Sequence, residues 1–203
     1  MKFNLPTRLT LLRLGLAFLV IFLLVFPFYR MGFEFKTFLF HSILIDVRYI
    51  MCGVIFIIAS FTDYLDGYFA RKNNEVTDFG KFSDAIADKV LVNSVLIILV
   101  SQGFISVAIP VIVIVRDIMV DAIRMNVATK GTVQPARMSG KIKTFCLMVG
   151  IILTFFYNLP FELLGLQVSN FFLYFGTIMS LVSLYEYYVL NKKLLYSEFE
   201  EKK

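Results

Sequence analysis

Apolar positions in this chain come in runs of membrane-spanning length, not as the narrow stripes of a water-soluble helix. A helix needs about 20 mainly apolar residues to cross a bilayer core. The runs predict six such helices, near residues 11–28, 49–70, 80–101, 105–126, 138–156 and 170–190. Polar or Gly/Pro punctuation separates them at Lys72-Asn73-Asn74-Glu75, Ser101-Gln102-Gly103, Thr129-Lys130-Gly131 and Asn158-Leu159-Pro160. Ahead of the first run, Asn4 as a cap and Pro6 just behind it mark a helix start. That start predicts a short N-terminal interfacial helix leading into the first span. With no internal repeat and no flexible linker, the expectation is one all-α, polytopic membrane domain over residues 1–203.

Composition agrees. Apolar residues make up 59% of the 203 and charged residues only 17%, against about 45–50% and about 25% in soluble domains. The mean hydropathy is +0.78. An ordinary globular domain and a disordered chain are both excluded. The net charge of +5, from 20 Lys and Arg against 15 Asp and Glu, suggests nucleic acid in a soluble protein. Here its distribution gives another reading. Arg71, Lys72 and Lys81 share one side with Arg124, Lys130, Arg137, Lys141, Lys143 and the tail lysines, while Arg30, Lys36 and Arg48 stand alone on the other. The positive-inside rule then places both termini in the cytoplasm of a multi-pass protein of the cell membrane, among membrane lipids and with no nucleic acid partner. The start carries no small-residue cleavage site, so it reads as an anchor. Cys52 and Cys146 lie in apolar runs as small buried residues, and the lone His41 cannot build a zinc site.

The informative residues are acids at the cytoplasmic ends of the second and third spans. Asp63, Asp66, Gly67, Ala70 and Arg71 fall at i, i+3, i+4, i+7 and i+8, on one helical face. Gly80, Asp84 and Asp88 follow at i, i+4 and i+8 on the next helix. A short connection makes the two helices antiparallel neighbours whose polar faces can meet. One Asp at the centre of a membrane helix costs about 2.5–3.5 kcal/mol, so four carboxylates together call for one or two divalent cations. Oxygen-only ligation favours Mg²⁺ or Mn²⁺ over zinc. Gly67, Ala70 and Gly80 leave room for a bulky ligand beside the metals, and Arg71 offers a planar fork to phosphate. Small residues also serve helix packing, and acids at helix ends also serve ion pairs.

The spacing Asp63-x2-Asp66-Gly67-x2-Ala70-Arg71-x8-Gly80-x3-Asp84-x3-Asp88 resembles the signature of the CDP-alcohol phosphatidyltransferase family, with every position and gap in place. Asn4-Leu5-Pro6-Thr7-x2-Thr10-Leu11-x-Arg13, the pair Arg116 and Arg124, and Gly140-Lys141-Ile142-Lys143-Thr144 extend the likeness toward its phosphatidylglycerophosphate-forming members. The resemblance implies transfer of a phosphatidyl group from CDP-diacylglycerol to sn-glycerol 3-phosphate, with release of CMP. It implies that Asp63, Asp66, Asp84 and Asp88 hold two Mg²⁺ or Mn²⁺ ions and that Asp88 is the general base. By the same likeness Gly67, Ala70, Arg71, Thr77 and Gly80 contact the CDP-lipid, Arg116, Arg124 and Lys141 hold the glycerol phosphate, and the protein is a homodimer. Ala85, where relatives often carry proline, and Asp117, where glutamate is common, depart from the pattern without removing a reacting group.

Each basic residue also has a plainer reading. Arg116 can pair with Asp117 or Asp121, Arg124 and Lys141 can anchor the cytoplasmic side, and Lys89 and Lys143 read first as snorkelling cations and second as lining of the same basic cavity. Two rivals stand beside the main reading. One is the same chemistry on inositol, inositol phosphate or phosphatidylglycerol; the other is a divalent-cation transporter.

Overall fold

Six α-helices carry the chain: α1 (Leu5–Val25), α2 (Val47–Lys72), α3 (Asp78–Ser101), α4 (Ala108–Thr129), α5 (Met138–Phe155) and α6 (Val168–Glu200). The computed structural model describes the backbone of residues 5–41, 43–72, 78–129 and 137–200, with side chains over 8–41, 43–62, 86–129 and 137–192. Helices are present at all six expected positions, but one expectation at the N-terminus changes and the α1–α2 connection adds a feature that was not expected. No separate interfacial helix precedes the first span, because helical backbone runs unbroken from Leu5. Pro6 falls in the first turn, where its missing N–H removes no intrahelical bond, so it opens the helix without dividing it. Asn4 lies outside the described residues.

The added feature is a hairpin between α1 and α2. Strands β1 (Thr37–Phe40) and β2 (Ile43–Asp46) pair antiparallel, Thr37 opposite Asp46 and Phe40 opposite Ile43. Four-residue apolar runs are too short to nucleate a stable helix. Asp46 then starts α2: its Oδ1 accepts the Arg48 N–H at 2.8 Å as a helix cap, while its own N–H donates to the Tyr157 hydroxyl at 2.9 Å. At the same end, α3 stops at Gly103. With φ of +79° it turns the chain so that Phe104 N–H reaches Leu99 O at 2.9 Å.

Beside an apolar core the molecule buries charged groups, and it carries large apolar side chains on its outside. Phe18, Ile118, Phe145 and Phe171 stand about 60% exposed on four different helices, whereas Arg13, Arg116, Asp117 and Lys143 are buried. That placement is what lipid as solvent demands. Among the described residues, three segments are long and apolar enough to cross a membrane: Arg8–Val25, Met138–Phe155 and Val168–Lys192. Four charges, Arg116, Asp117, Asp121 and Arg124, set α4 apart from these. The chain is an all-α membrane protein.

Packing centres on Ala17, Val20, Phe56, Leu96, Ile109 and Ile151, buried residues drawn from α1 to α5. The α5–α6 pair shows how close approach is obtained. A Cβ on Gly150 of α5 would stand 2.7 Å from Leu173 Cγ and 3.1 Å from the Leu173 backbone nitrogen. A Cβ on Gly176 of α6 would stand 3.1 Å from Leu147 Cγ and 3.2 Å from the Leu147 backbone nitrogen. Each helix presents a leucine and, three residues later, a glycine, so each leucine seats over the other helix's glycine. Gly150→Ala forces the backbones apart and should destabilise the protein by about 1–3 kcal/mol. Thermal unfolding in detergent measures it; Gly15→Ala, with nothing within 4 Å of the new Cβ, should leave the transition unchanged or raise it.

Candidate active site

A cavity of about 690 Å³ opens between the helices where α4 ends and α5 begins. Ser60 from α2, Asp88 and Lys89 from α3, and Arg116, Asp117, Asp121 and Arg124 from α4 line it, with Arg137, Lys141 and Lys143 at the start of α5 and Tyr187 from α6. Cations outnumber acids in this lining, so the cavity suits a multiply charged anion.

Its inner wall is a closed ionic network. Arg116 is 8% exposed and Lys143 7%, and stripping water from each charge costs several kcal/mol unless it is paired. One oxygen of Asp117 meets both: Arg116 Nη1 donates to Oδ1 at 2.8 Å and Lys143 Nζ at 2.6 Å. The remaining Arg116 donors go to α6, Nε to Ser180 O at 3.2 Å and Nη2 to the Ser183 hydroxyl. Three helices are thus tied through one carboxylate and one guanidinium.

The outer wall holds its cations differently. Arg124 donates to the Tyr187 hydroxyl and lies with its guanidinium carbon 4.8 Å from the centre of that ring, a cation–π contact. Tyr187 is itself buried. Lys89 pairs with Asp121. Nearby, Ser139 donates to Glu186 Oε2 at 2.6 Å. Arg137 and Lys141, one turn apart, have no ion-pair partner among the described residues.

Four residues expected from sequence therefore reach one cavity: Asp88, Arg116, Arg124 and Lys141. Arg116 does so with its donors already committed to Asp117, Ser180 and Ser183, the plainer reading of that residue. Lys89 and Lys143 line the cavity too, the second of their two readings. Lys143, expected first to snorkel, is buried against Asp117, while Lys89 pairs with Asp121 in a more exposed position. Arg13 is buried in α1 and is not part of this lining. Asp63, Asp66, Gly67, Ala70 and Arg71 fall on α2, and Gly80 and Asp84 on α3. The side chains at these positions lie outside the described residues, as does Thr77 altogether and with it the meeting of the two polar faces. Sequence reasoning missed Ser60, Arg137, Ser180, Ser183 and Tyr187. Ser180, Ser183 and Tyr187 follow i, i+3, i+7 spacing, a polar stripe on an otherwise apolar helix that was there to be read.

The sequence matches the family model described as CDP-alcohol phosphatidyltransferase across residues 3–182. The chain belongs to the CDP-alcohol phosphatidyltransferase family. It is 37% identical over 195 residues to a Bacillus subtilis (strain 168) protein named CDP-diacylglycerol–glycerol-3-phosphate 3-phosphatidyltransferase, a match covering 95% of this chain and 97% of that one. A Haemophilus influenzae protein of the same name is 32% identical over 197 residues, covering 95% of each chain. A Mycoplasma pneumoniae protein, again of that name, is 40% identical over 115 residues, or 57% of this chain and 51% of its own.

Among the described residues no group of three acids, thiols or imidazoles comes together to hold a metal ion, and Asp88 is the one expected metal-site aspartate whose side chain is described. Asp88 stands in a cavity whose described lining supplies carboxylates and hydroxyls and neither thiol nor imidazole. The Ser60 hydroxyl, one turn before Asp63, is buried with no hydrogen-bond partner among the described residues. Asp117 has a separate, structural duty. Asp117→Asn leaves Arg116 and Lys143 buried without a counter-charge and should cost about 3–5 kcal/mol, read as a lower unfolding temperature in detergent; Asp117→Glu, which keeps the charge, should lose less.

Proposed function

We propose that this chain transfers the phosphatidyl group of CDP-diacylglycerol to sn-glycerol 3-phosphate, giving phosphatidylglycerophosphate and CMP. The observation that carries the reading is the end-to-end match to proteins named for that reaction. The cation-rich cavity beside Asp88 supports it, since both substrates are multiply charged anions. In this reading all six helices span the cell membrane, both termini face the cytoplasm, and the active protein is a homodimer.

Asp63, Asp66, Asp84 and Asp88 would hold two Mg²⁺ or Mn²⁺ ions. The chemistry those ions supply when bound is neutralisation of the pyrophosphate and of the charge growing on the leaving CMP. Gly67, Ala70 and Gly80 leave space for the CDP-lipid, which Arg71 and Thr77 contact. Arg124, Lys141 and Arg137 bind the acceptor's phosphate. Arg124 is held in place by Tyr187, whereas Arg137 and Lys141 carry no competing acid among the described residues. Arg116 acts behind them as a fixed positive charge. Asp88 takes the proton of the attacking glycerol hydroxyl. A carboxylate is a weak base toward an alcohol, so the proton leaves as the new P–O bond forms, and positioning supplies most of the advantage. One displacement at phosphorus completes the reaction without a covalent enzyme intermediate.

Purified protein given radiolabelled CDP-diacylglycerol and Mg²⁺ should release CMP with sn-glycerol 3-phosphate. It should fail with inositol, inositol phosphate or phosphatidylglycerol, and chelation should abolish turnover. Release with a different alcohol only would replace the acceptor in this reading, and metal movement across vesicles without CMP release would replace the reaction. Arg124→Ala removes a charge-assisted contact to phosphate and should raise the KM for sn-glycerol 3-phosphate about tenfold. The KM for CDP-diacylglycerol should stay within about twofold; equal loss of both would put Arg124 elsewhere.

A further inference from the structure

Several hydroxyl side chains in this fold turn back on their own helix. Thr62 donates to Ala59 O at 2.7 Å, Ser101 to Ile98 O at 2.7 Å, Thr144 to Gly140 O at 3.1 Å, Thr154 to Gly150 O at 2.8 Å and Thr177 to Leu173 O at 2.8 Å. That is the default for a hydroxyl on a helix in apolar surroundings, because the nearest carbonyl is its own. Ser60 does not follow it. Its Oγ is buried and has no hydrogen-bond partner among the described residues, a state it shares with Ser180 Oγ, which does not line the cavity. It is also the only described residue of α2 in the lining of the active-site cavity. A buried hydroxyl left unmade is unfavourable unless something fills the role, and the space before it is where the acceptor binds.

From this we infer that Ser60 reads the secondary hydroxyl of the acceptor. The inference rests on the proposed transfer to sn-glycerol 3-phosphate and deepens it. That acceptor carries three polar groups. Its phosphate belongs with Arg124, Lys141 and Arg137, and its attacking primary hydroxyl with Asp88. The hydroxyl on the central carbon remains, and it needs a neutral partner that donates and accepts. A serine does both. The cations of the cavity come from α3, α4 and α5, so a hydroxyl on α2 meets the acceptor without competing for its phosphate. Ser60 also lies one turn before Asp63 on the same face of α2, which ties the acceptor's central carbon to the helix that opens the aspartate motif. Ser60 is a specificity-determining contact that leaves the phosphate and the reacting oxygen to other groups.

The test is a comparison of two acceptors on two proteins. 3-Hydroxypropyl phosphate has the phosphate and the primary hydroxyl of sn-glycerol 3-phosphate and lacks only the secondary hydroxyl. Wild type should prefer sn-glycerol 3-phosphate in kcat/KM by about tenfold, the usual worth of one buried hydrogen bond to a substrate hydroxyl. Ser60→Ala should bring that ratio close to one, chiefly by losing activity on sn-glycerol 3-phosphate. Its unfolding temperature should hold or rise, since a methyl leaves no hydroxyl unsatisfied. Ser60→Thr, which keeps the hydroxyl, should retain the preference. If Ser60→Ala slows both acceptors equally, or keeps the wild-type ratio, the residue is structural and the inference fails alone. Wild type with no preference between the two acceptors overturns it as well. If wild type turns over neither acceptor, the transfer reading itself fails and takes this inference with it.

Discussion

One carboxylate oxygen governs the interior of this protein. Asp117 Oδ1 accepts from both Arg116 and Lys143, and without it two cations would sit in a medium where an unpaired charge is untenable. The consequences spread outward. Arg116 is free to spend its other donors on Ser180 and Ser183, so α4 is held to α6. Lys143 ties the start of α5 to α4 through the same oxygen. The cavity opens beside this network, with α2 and α3 completing its lining.

The rest of the architecture serves the same placement of charge inside and apolar surface outside. Apolar side chains cover the outside of the helices where lipid replaces water, and the buried charges of α4 and α5 find polar partners inside. Close α5–α6 contact needs no hydrophobic driving force: Leu173 over Gly150 and Leu147 over Gly176 bring the backbones together by shape alone. At the opposite end from the cavity, the hairpin and the Asp46–Tyr157 bond fasten the loops. This leaves the end beside Asp88, Arg137 and Lys141 to be shaped by side-chain chemistry.

Much of this was legible along the chain, for reasons that differ by residue. The six helices were visible because a bilayer sets the length of an apolar run. The aspartate motif was visible because helical spacing alone places Asp63, Asp66, Asp84 and Asp88 on two faces. Arg116 and Arg124 were legible on one face of a helix through the same periodicity, and the family resemblance joined Lys141 to them. The hairpin was not, since its strands are short apolar runs inside a longer apolar context. Nor was the fate of Lys143, whose partner is 26 positions away on another helix, or that of Arg124, whose tyrosine is 63 positions away. Snorkelling was the local answer for a lysine near a helix end, and a distant aspartate overruled it.

Local periodicity and composition therefore determined what kind of protein this is, an α-helical membrane protein with acids at the ends of two helices and cations on the next two. Those features depend only on neighbours within a turn or two and on the thickness of lipid. Tertiary structure decided which cations are paired with acids and which have no such partner among the described residues, and which hydroxyl lies buried in the cavity instead of bonding its own helix. Pairing of charges and hydroxyls depends on distances between separate helices, and such distances are set by packing in three dimensions.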